Sequence, residues 1–390
     1  MSAWETVALG DVATIERRGV TPADLPGHTF YVGLEHIARG GEIIGSNTVE
    51  GAKLTSTKFQ FNENHVLFGK LRPNLGKVAK PAQCGICSTD ILPIKPGKRL
   101  DRSYLLHYLR QPSMIAHAAS RASGANLPRV SPATLESFAL PLPSLDAQRR
   151  IASILDEADA VCTKRRAQLT HLDELPQALF HEMFSATLDA AESTPLGEVA
   201  PAIDNGTSAV CETRPAQDDE WGILKLGAVT YGNFRHAENK AFLGDIAGMA
   251  RNEVRPGDVL MTRKNTRELV GAVAIADSSA PPRRLLPDLI FRLHLDTDRI
   301  DARYFQAFMM KESTRHRVRD LASGSAASMP NISKARLRSL MLPLPPLADQ
   351  QRFAEKVANV YTQHDRIARA LEADYELFAA LQHRAFRGEL

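Results

Sequence analysis

The chain has 390 residues, of which 44% are hydrophobic and 24% are charged, and its formal net charge is +3 at pH 7. This composition is typical of a soluble globular protein, and the length suggests two or three domains at about 150 residues per domain. The sequence has no run of eighteen apolar residues and no charged leader before an apolar core, so we exclude a membrane-spanning helix and expect a cytoplasmic protein.

The four cysteines, Cys84, Cys87, Cys162 and Cys211, are too few and too scattered for a disulfide framework. Cys84 and Cys87 form one CxxC pair, but a closed zinc site needs four ligands and no second pair lies at a suitable spacing. We therefore expect this pair to belong to an ordinary strand or turn, and we predict no metal site.

The part of the chain before residue 144 predicts an α/β (α+β) domain. Short alternating apolar runs punctuated by glycines indicate strands and turns, and one later segment has helical spacing. We predict an opening segment at residues 9–13 (LGDVA) and a strand at residues 30–37 (FYVGLEHI). Residues 66–79 (VLFGKLRPNLGKVA) read as a strand, a basic turn and a second strand. A helix follows at residues 101–111 (DRSYLLHYLRQ), and a polar loop at residues 120–129 (SRASGANLPR).

A long helix follows at residues 146–184. From Ile151, apolar residues recur in alternating steps of four and three, which is the heptad spacing of a coiled coil. The prolines of the preceding LPLP stretch stop the earlier element from running into this helix. Its 39 residues correspond to about 58 Å at about 1.5 Å per residue, and Pro176 is expected to kink it near residues 173–175.

The second half repeats the element order of the first half with different loop lengths. Residues 196–200 (LGEVA) match the opening segment at an offset of 187, and Val259 matches Val66 at an offset of 193. The offset rises to 200 where Asp301 matches Asp101, and it then reaches 202 and stays constant. Connections of variable length on a repeated scaffold are where recognition usually resides.

A second long helix repeats the first without any insertion. Residues 342–354 (LPLPPLADQQRFA) correspond to residues 140–152 (LPLPSLDAQRRIA), and the offset of 202 also pairs Pro128 with Pro330 and continues to residue 386. One inserted residue would turn the rest of a helix by about 100°, so a register held over this length favours a helix over a loop.

A lone amphipathic helix of this length would expose its apolar stripe, so we predict that the two helices pack antiparallel as a coiled coil. The alternative is that each helix covers its own domain as an ordinary surface helix. The predicted inter-helix seam consists of Ile151, Leu155, Ala158, Leu169, Leu172, Leu179, Phe353, Val357, Val360, Ile367, Leu371, Phe378 and Leu381.

Basic and amide side chains cluster at matching loops of the two halves. A net charge of +3 permits a nucleic-acid partner without arguing for one, and such residues are commonly just solvated, but their matched placement favours a shared binding role. The candidate DNA contacts are Lys70, Arg72, Asn74, Lys77, Arg121, Asn126 and Arg129 in the first half, and Arg263, Lys264, Asn265, Arg267, Ser325 and Asn331 in the second.

Two divergent domains, each followed by a long helix opened by LPLPxLxxQ, and a closing AFRGEL closely resemble the DNA-specificity subunit of type I restriction-modification enzymes. The resemblance covers essentially the whole chain, although the first helix ends differently, in HEMFSATL. It implies two target-recognition domains, at residues 1–143 and 191–345, and two helical spacers, at residues 144–190 and 346–390, with an approximate two-fold internal repeat.

The same resemblance implies the partners. Each recognition domain would bind one half of a split target in double-stranded DNA, and the helices would set the half-site spacing and dock two modification subunits. Those subunits would bind S-adenosylmethionine and methylate adenine, whereas this chain would bind no cofactor and catalyse nothing itself. Restriction subunits with motor and nuclease activity can join such complexes.

Two other classes of function stay open at this point. A methyltransferase should carry an NPPY-like tetrapeptide and a glycine-rich cofactor turn, and a motor should carry a phosphate-binding loop, but the sequence has none of these. A scaffold whose helices dimerise and whose domains never bind DNA is the second alternative. Binding to duplex DNA that weakens steeply with salt would distinguish the recognition subunit from the scaffold.

Overall fold

The computed structural model describes residues 4–188, 191–277, 280–323 and 329–390. The chain divides into two compact units, one made of Met1–Arg166 with Arg369–Leu390 and the other of Ala167–Ala368. Each unit therefore contains one α/β domain and one half of each long helix. The predicted fold class, tandem α/β domains with long antiparallel helices and an internal repeat, is confirmed.

The first unit contains eleven strands among the described residues and four short helices before the long one. The strands are β1 Glu5–Ala8, β2 Ala13–Ile15, β3 Gly19–Val20, β4 Phe30–Val32, β5 Asn47–Thr48, β6 Lys58–Phe61, β7 Val66–Gly69, β8 Val78–Ala79, β9 Gly85–Cys87, β10 Ile91–Pro96 and β11 Ala139–Leu142. The helices are α1 Leu9–Val12, α2 Arg102–Leu109, α3 Pro112–Ser120, α4 Pro132–Glu136 and the long α5 Leu145–Leu188, which continues into the second unit.

These strands form two main sheets and one strand pair. One sheet has the order β2-β10-β7-β8 and the other has the order β3-β6-β9-β4-β5, while β1 pairs with β11. Apart from the parallel pair β4 and β9, the pairings are antiparallel. The fully buried Tyr104 and Leu105 of α2 lie in the core against Val66 and Leu92 of the first sheet.

Local signals explain where several elements begin and end. The predicted helix at residues 101–111 is α2, and the Asp101 carboxylate caps it by accepting a hydrogen bond from the Tyr104 amide at 2.9 Å. The predicted strand at residues 30–37 is wrong beyond Val32. A 3₁₀ turn at Leu34–His36 replaces it, because the Gly33 amide donates to Nδ1 of His36 at 3.0 Å and closes the turn.

The second unit repeats this arrangement. Its strands are β12 Ser193–Pro195, β13 Ala202–Asn205, β14 Gly222–Leu224, β15 Asn239–Ala241, β16 Val259–Thr262, β17 Val273–Ile275, β18 Arg284–Leu285, β19 Ile290–His294 and β20 Met341–Pro343. Its helices are α6 Leu196–Val199, α7 Ala302–Met310, α8 Glu312–Leu321, α9 Lys334–Arg338 and the long α10 Leu347–Ala385. The sheet β13-β19-β16-β17 has the same topology as β2-β10-β7-β8, so the order of the main sheet is repeated.

The long helices run antiparallel within each unit. In the first unit, Nη2 of Arg150 near the start of α5 donates to the carbonyl of Leu390 at 3.0 Å. In the second unit, the rings of Phe184 in α5 and Phe353 in α10 lie 5.6 Å apart between centroids. Helix α5 continues through Pro176, and none of the described residues belongs to a helix long and apolar enough to cross a membrane.

The predicted seam residues are all buried or half-buried. Ile151, Leu155 and Phe353 are at most 1% exposed. Three other positions at the same heptad spacing, Arg165, His364 and Asp374, carry polar or charged side chains. Arg165 forms an ion pair with Asp374, and His364 lies 3.4 Å from Asp173. The breaks in the apolar pattern are thus matched across the two helices within each unit.

Candidate nucleic-acid interface

In the first unit, two of the predicted basic loops are hydrogen-bonded to each other. The segment after β7 and the segment before α4 form a short antiparallel pair, in which the Arg72 amide donates to the Pro128 carbonyl at 2.8 Å and the Val130 amide donates to the Lys70 carbonyl at 3.0 Å. Leu71 and Arg129 form a β-bridge between them. Residues almost sixty positions apart in sequence therefore lie side by side, and we call this pair the first junction.

Asp90, in the loop before β10, joins the first junction. Its Oδ1 accepts from Nε of Arg129 at 2.9 Å and its Oδ2 accepts from Nη2 at 3.3 Å. Nζ of Lys70 lies 4.0 Å from the same carboxylate. The hydrogen bond and charge of Asp90 raise the pKa of Arg129. The sequence did not single out Asp90, because a lone acidic residue in a turn has no pattern that distinguishes it.

Four other first-half candidates lie at the protein surface. Arg72, Asn74, Arg121 and Asn126 are exposed. Arg72 has a left-handed backbone (φ 50°) ahead of the 3₁₀ turn Pro73–Leu75, which holds its side chain at a sharp bend.

Lys77 is oriented differently from these candidates. It is only half-exposed, and its Nζ donates to the Leu34 carbonyl at 2.7 Å. Gly76, next to it, has a φ of 60° and would place an added Cβ 2.8 Å from Ile115 Cδ1, so this tight turn requires glycine.

The second unit builds an equivalent second junction. The Ile332 amide donates to the Arg263 carbonyl at 2.9 Å, the Asn265 amide donates to the Pro330 carbonyl at 3.4 Å, and Lys264 and Asn331 form the β-bridge. The backbone pattern is the same as in the first junction, but the side chains differ.

One arginine of the second junction is held on both its edge and its face. Nε of Arg263 donates to Oδ1 of Asn331 at 3.1 Å, and its guanidinium lies over the Phe291 ring, 5.3 Å from the centroid. The ammonium of Lys334 lies 5.9 Å from the same ring. Such cation–π contacts are worth about 0.5–1 kcal/mol at exposed sites. They restrict the orientation of the arginine without neutralising its charge.

Not every second-half candidate faces outward. Asn265 is 6% exposed, and its side-chain amide is engaged inside the protein: Nδ2 donates to Thr230 Oγ1 at 3.2 Å and Oδ1 accepts from the Thr266 amide at 2.9 Å. Arg267 is exposed and Lys264 is half-exposed. Ser325 lies outside the described residues. Whether any of these candidates touches DNA stays a prediction.

A charged contact anchors the first domain to the long helix. Nε2 of the buried His107 lies 2.7 Å from Oδ1 of Asp156, and Nζ of Lys80 lies 3.4 Å from Oδ2. His107, chiefly by hydrogen bonding, and Lys80, by its charge, lower the pKa of Asp156 to about 2. One turn further along α5, Asp159 lies 3.3 Å from Nη1 of Arg110. These ion pairs orient α2, and with it the first domain, on α5.

The glutamine repeated in each LPLPxLxxQ motif has a structural role that the sequence did not predict. Gln148 is fully buried, its Oε1 accepts from the Asp101 amide at 2.8 Å, and its Nε2 donates to the carbonyls of Arg99 and Pro143. Gln350 makes the same three bonds in the second unit. The signal that could have revealed this role is the motif's repetition at a constant offset.

The CxxC pair is split between the surface and the core. Cys87 is buried on β9, where burial raises the pKa of its thiol, whereas Cys84 is exposed. No group of three or more metal-ligating side chains occurs among the residues that the structure describes.

Comparisons with known proteins agree with this architecture. Residues 1–171 match the family described as the type I restriction modification DNA specificity domain. The EcoEI specificity subunit of Escherichia coli is 30% identical over 179 residues, which is 46% of this chain and 30% of that protein. The first part of the chain is thus similar to type I specificity subunits. The EcoKI specificity subunit of Escherichia coli strain K12 is 24% identical over 79% of this chain and 68% of its own length.

A solved structure extends the similarity of fold over nearly the whole chain. The crystal structure of the S subunit of a type I restriction-modification system from M. genitalium superposes with a TM-score of 0.62 at 13% identity, covering 98% of this chain and 96% of that one. The match to the EcoEI subunit covers less than a third of that protein.

Proposed function

We propose that this chain is the DNA-recognition subunit of a type I restriction-modification complex, and that each α/β domain recognises one half of a bipartite target. The observation that supports this most directly is the pair of equivalent junctions. Each places basic and amide side chains from two distant segments on one hydrogen-bonded backbone. Two surfaces that share a backbone arrangement but carry different side chains are suited to recognising two half-sites of different sequence.

The side chains at the junctions have the chemistry that such recognition requires. Arg and Lys bind phosphates without regard to sequence, whereas Arg pairs with guanine and Asn with adenine in the major groove. The exposed Arg72, Arg121 and Arg267 are suited to phosphate contacts, and the oriented Arg129 and Arg263 are suited to base contacts.

The long helices would set the spacing of the half-sites. Helix α5 has 44 residues and passes from one unit into the other, and its length is about 66 Å at about 1.5 Å per residue. One turn of B-DNA is about 34 Å, so a helix of this length spans more than one turn. The segments 144–190 and 346–390 would thus be spacers between recognition domains 1–143 and 191–345.

The repeat also suits two copies of a partner. A chain whose halves share one fold can offer two similar surfaces, and we propose that these dock two modification subunits. S-adenosylmethionine and the methylation of adenine would belong to those subunits, and restriction subunits would join through them. The sequence of this chain has no methyltransferase tetrapeptide and no phosphate-binding loop, which supports a recognition role without catalysis.

The decisive experiment compares methylated adenines across the genome in cells with and without this gene. A bipartite motif that disappears with the gene supports the proposal. In parallel, the chain co-purified with its modification subunits should bind duplex DNA with an affinity that falls steeply with salt. A complex that assembles but binds no DNA would instead identify a scaffold, and methylation by the chain alone would identify an enzyme.

A further inference from the structure

The arginine of the first junction keeps two guanidinium donors available. A guanidinium has five N–H donors. Three of those on Arg129 are engaged, because Nε and Nη2 donate to Asp90 and Nη1 donates to the Leu127 carbonyl at 3.1 Å. The two remaining donors lie one on Nη1 and one on Nη2. The side chain is 40% exposed, so a ligand can approach this pair of donors.

A neutral acceptor fits these two donors better than a phosphate. Donors on the Nη1 and Nη2 atoms of an arginine can bind either the O6 and N7 atoms of guanine or the oxygens of a phosphate. The Asp90 carboxylate already lies against the same guanidinium, and it would repel a charged phosphate more strongly than the neutral edge of a base. The pairing also restricts the rotation of a long side chain, which lowers the entropy lost on binding.

In the second junction, the oriented arginine belongs to the other of the two paired segments, the one that corresponds to Lys70. The backbone contacts place Arg263 at the position of Lys70, and Asn331 at the position of Arg129. Leu289 takes the place of Asp90. The Leu289 carbonyl accepts from the Arg263 amide at 3.0 Å, as the Asp90 carbonyl accepts from the Lys70 amide at 2.9 Å. With no carboxylate there, Asn331 and Phe291 hold the guanidinium.

We propose that Arg129 recognises a guanine in the first half-site with Asp90 as its positioning residue, and that Arg263 recognises a guanine in the second half-site with Asn331 and Phe291 in that role. This inference rests on the proposed function. It adds the identity of one base per half-site and the residues that determine it.

The test measures binding of the full chain, in complex with its modification subunits, to a duplex library randomised within the target. Arg129→Ala should lower the preference for guanine at one position of the first half-site between about 5-fold and about 150-fold, the range of a bidentate arginine–guanine pair. Preference in the second half-site should stay unchanged. Arg263→Ala should produce the converse pattern.

Asp90→Leu introduces the residue type found at the equivalent position of the second junction, Leu289. This variant distinguishes a role of Asp90 in positioning Arg129 from a general effect on stability. Removing a carboxylate beside DNA should raise affinity for random duplex while lowering the guanine preference, two changes of opposite sign. A merely structural defect would lower both. Asp24→Asn, at an exposed site in the same unit, is the matched control and should change neither.

The outcomes distinguish the two proposals. A complex that binds no DNA overturns both the recognition function and this inference. Binding with an intact guanine preference in Arg129→Ala overturns the inference alone. A loss of affinity that is equal for all sequences would identify Arg129 as a phosphate contact, and it would also contradict the inference.

Discussion

The side chain of Gln148, near the start of helix α5, is hydrogen-bonded to the start of helix α2, because its Oε1 accepts from the Asp101 amide at 2.8 Å. Its Nε2 donates to two carbonyls, those of Arg99 and Pro143, at 3.0 and 2.9 Å. One side chain thus satisfies three backbone groups at the place where the first α/β domain meets the long helix. Gln350 does the same in the second unit.

Gln148→Ala should therefore destabilise the first unit by about 2–4 kcal/mol, since each buried polar group left unpaired costs about 1–3 kcal/mol. Chemical denaturation followed by circular dichroism measures the change. Gln168→Ala, at an exposed position of the same helix, is the control for helix propensity and should change stability little. Equal effects of the two substitutions would contradict the structural role of Gln148.

The ion pair of Arg165 and Asp374 within the first unit should fix the register of the two helices. Arg165→Leu and Asp374→Leu, as single substitutions, should each cost about 1–3 kcal/mol, because the remaining partner is left half-buried and unpaired. The double variant with leucine at both positions should recover most of that loss. A thermodynamic double-mutant cycle tests this, with Lys164→Ala as the control for an exposed neighbour. Additive effects of the two single substitutions would show that the pair is not coupled.

Acid should weaken the contact between the first domain and α5. The pKa of Asp156 is lowered from 3.8 to about 2 in the folded chain, chiefly by the hydrogen bond with His107. The carboxylate therefore stabilises the fold above about pH 4, and this contribution is lost as the pH falls through about 2. The stability difference between the native chain and Asp156→Asn should shrink over that interval.

Denaturation curves at a series of pH values measure this difference. Glu182→Gln, at an exposed position of α5, should follow the native curve throughout. A native-to-Asp156→Asn difference that is constant between pH 4 and pH 2 would show that the ionised form of Asp156 contributes nothing to stability.

Arg121 is expected to contact a phosphate, since it is exposed at the end of α3 beside the first junction. Arg121→Ala should weaken binding of the assembled complex about equally for all sequences. It should also reduce the slope of log affinity against log salt by about 0.9, the value for one phosphate contact. Fluorescence anisotropy at several salt concentrations measures both, with the exposed Lys98→Ala as control. A sequence-dependent loss would indicate a base contact.

Much of this architecture follows from the sequence because helices are periodic and intolerant of insertions. The constant offset of 202 predicted both long helices, and the observed bounds, Leu145–Leu188 and Leu347–Ala385, lie within a few residues of the prediction. The basic turn at residues 66–79 was predicted between two strands, where β7 and β8 now stand. The strand at residues 30–37 was predicted too long, because a turn closed by a histidine side chain leaves no periodic signal.

The sequence by itself determined the repeat, the class of the elements and the loops in which the basic side chains cluster. Only the tertiary structure decided which of those side chains are held together, since Asp90 reaches Arg129 across 39 positions and Asn331 reaches Arg263 across 68. It also turned Asn265 inward. The physical reason is that periodicity reports a residue's local neighbours, whereas hydrogen-bond partners from distant segments are selected only when the chain has packed.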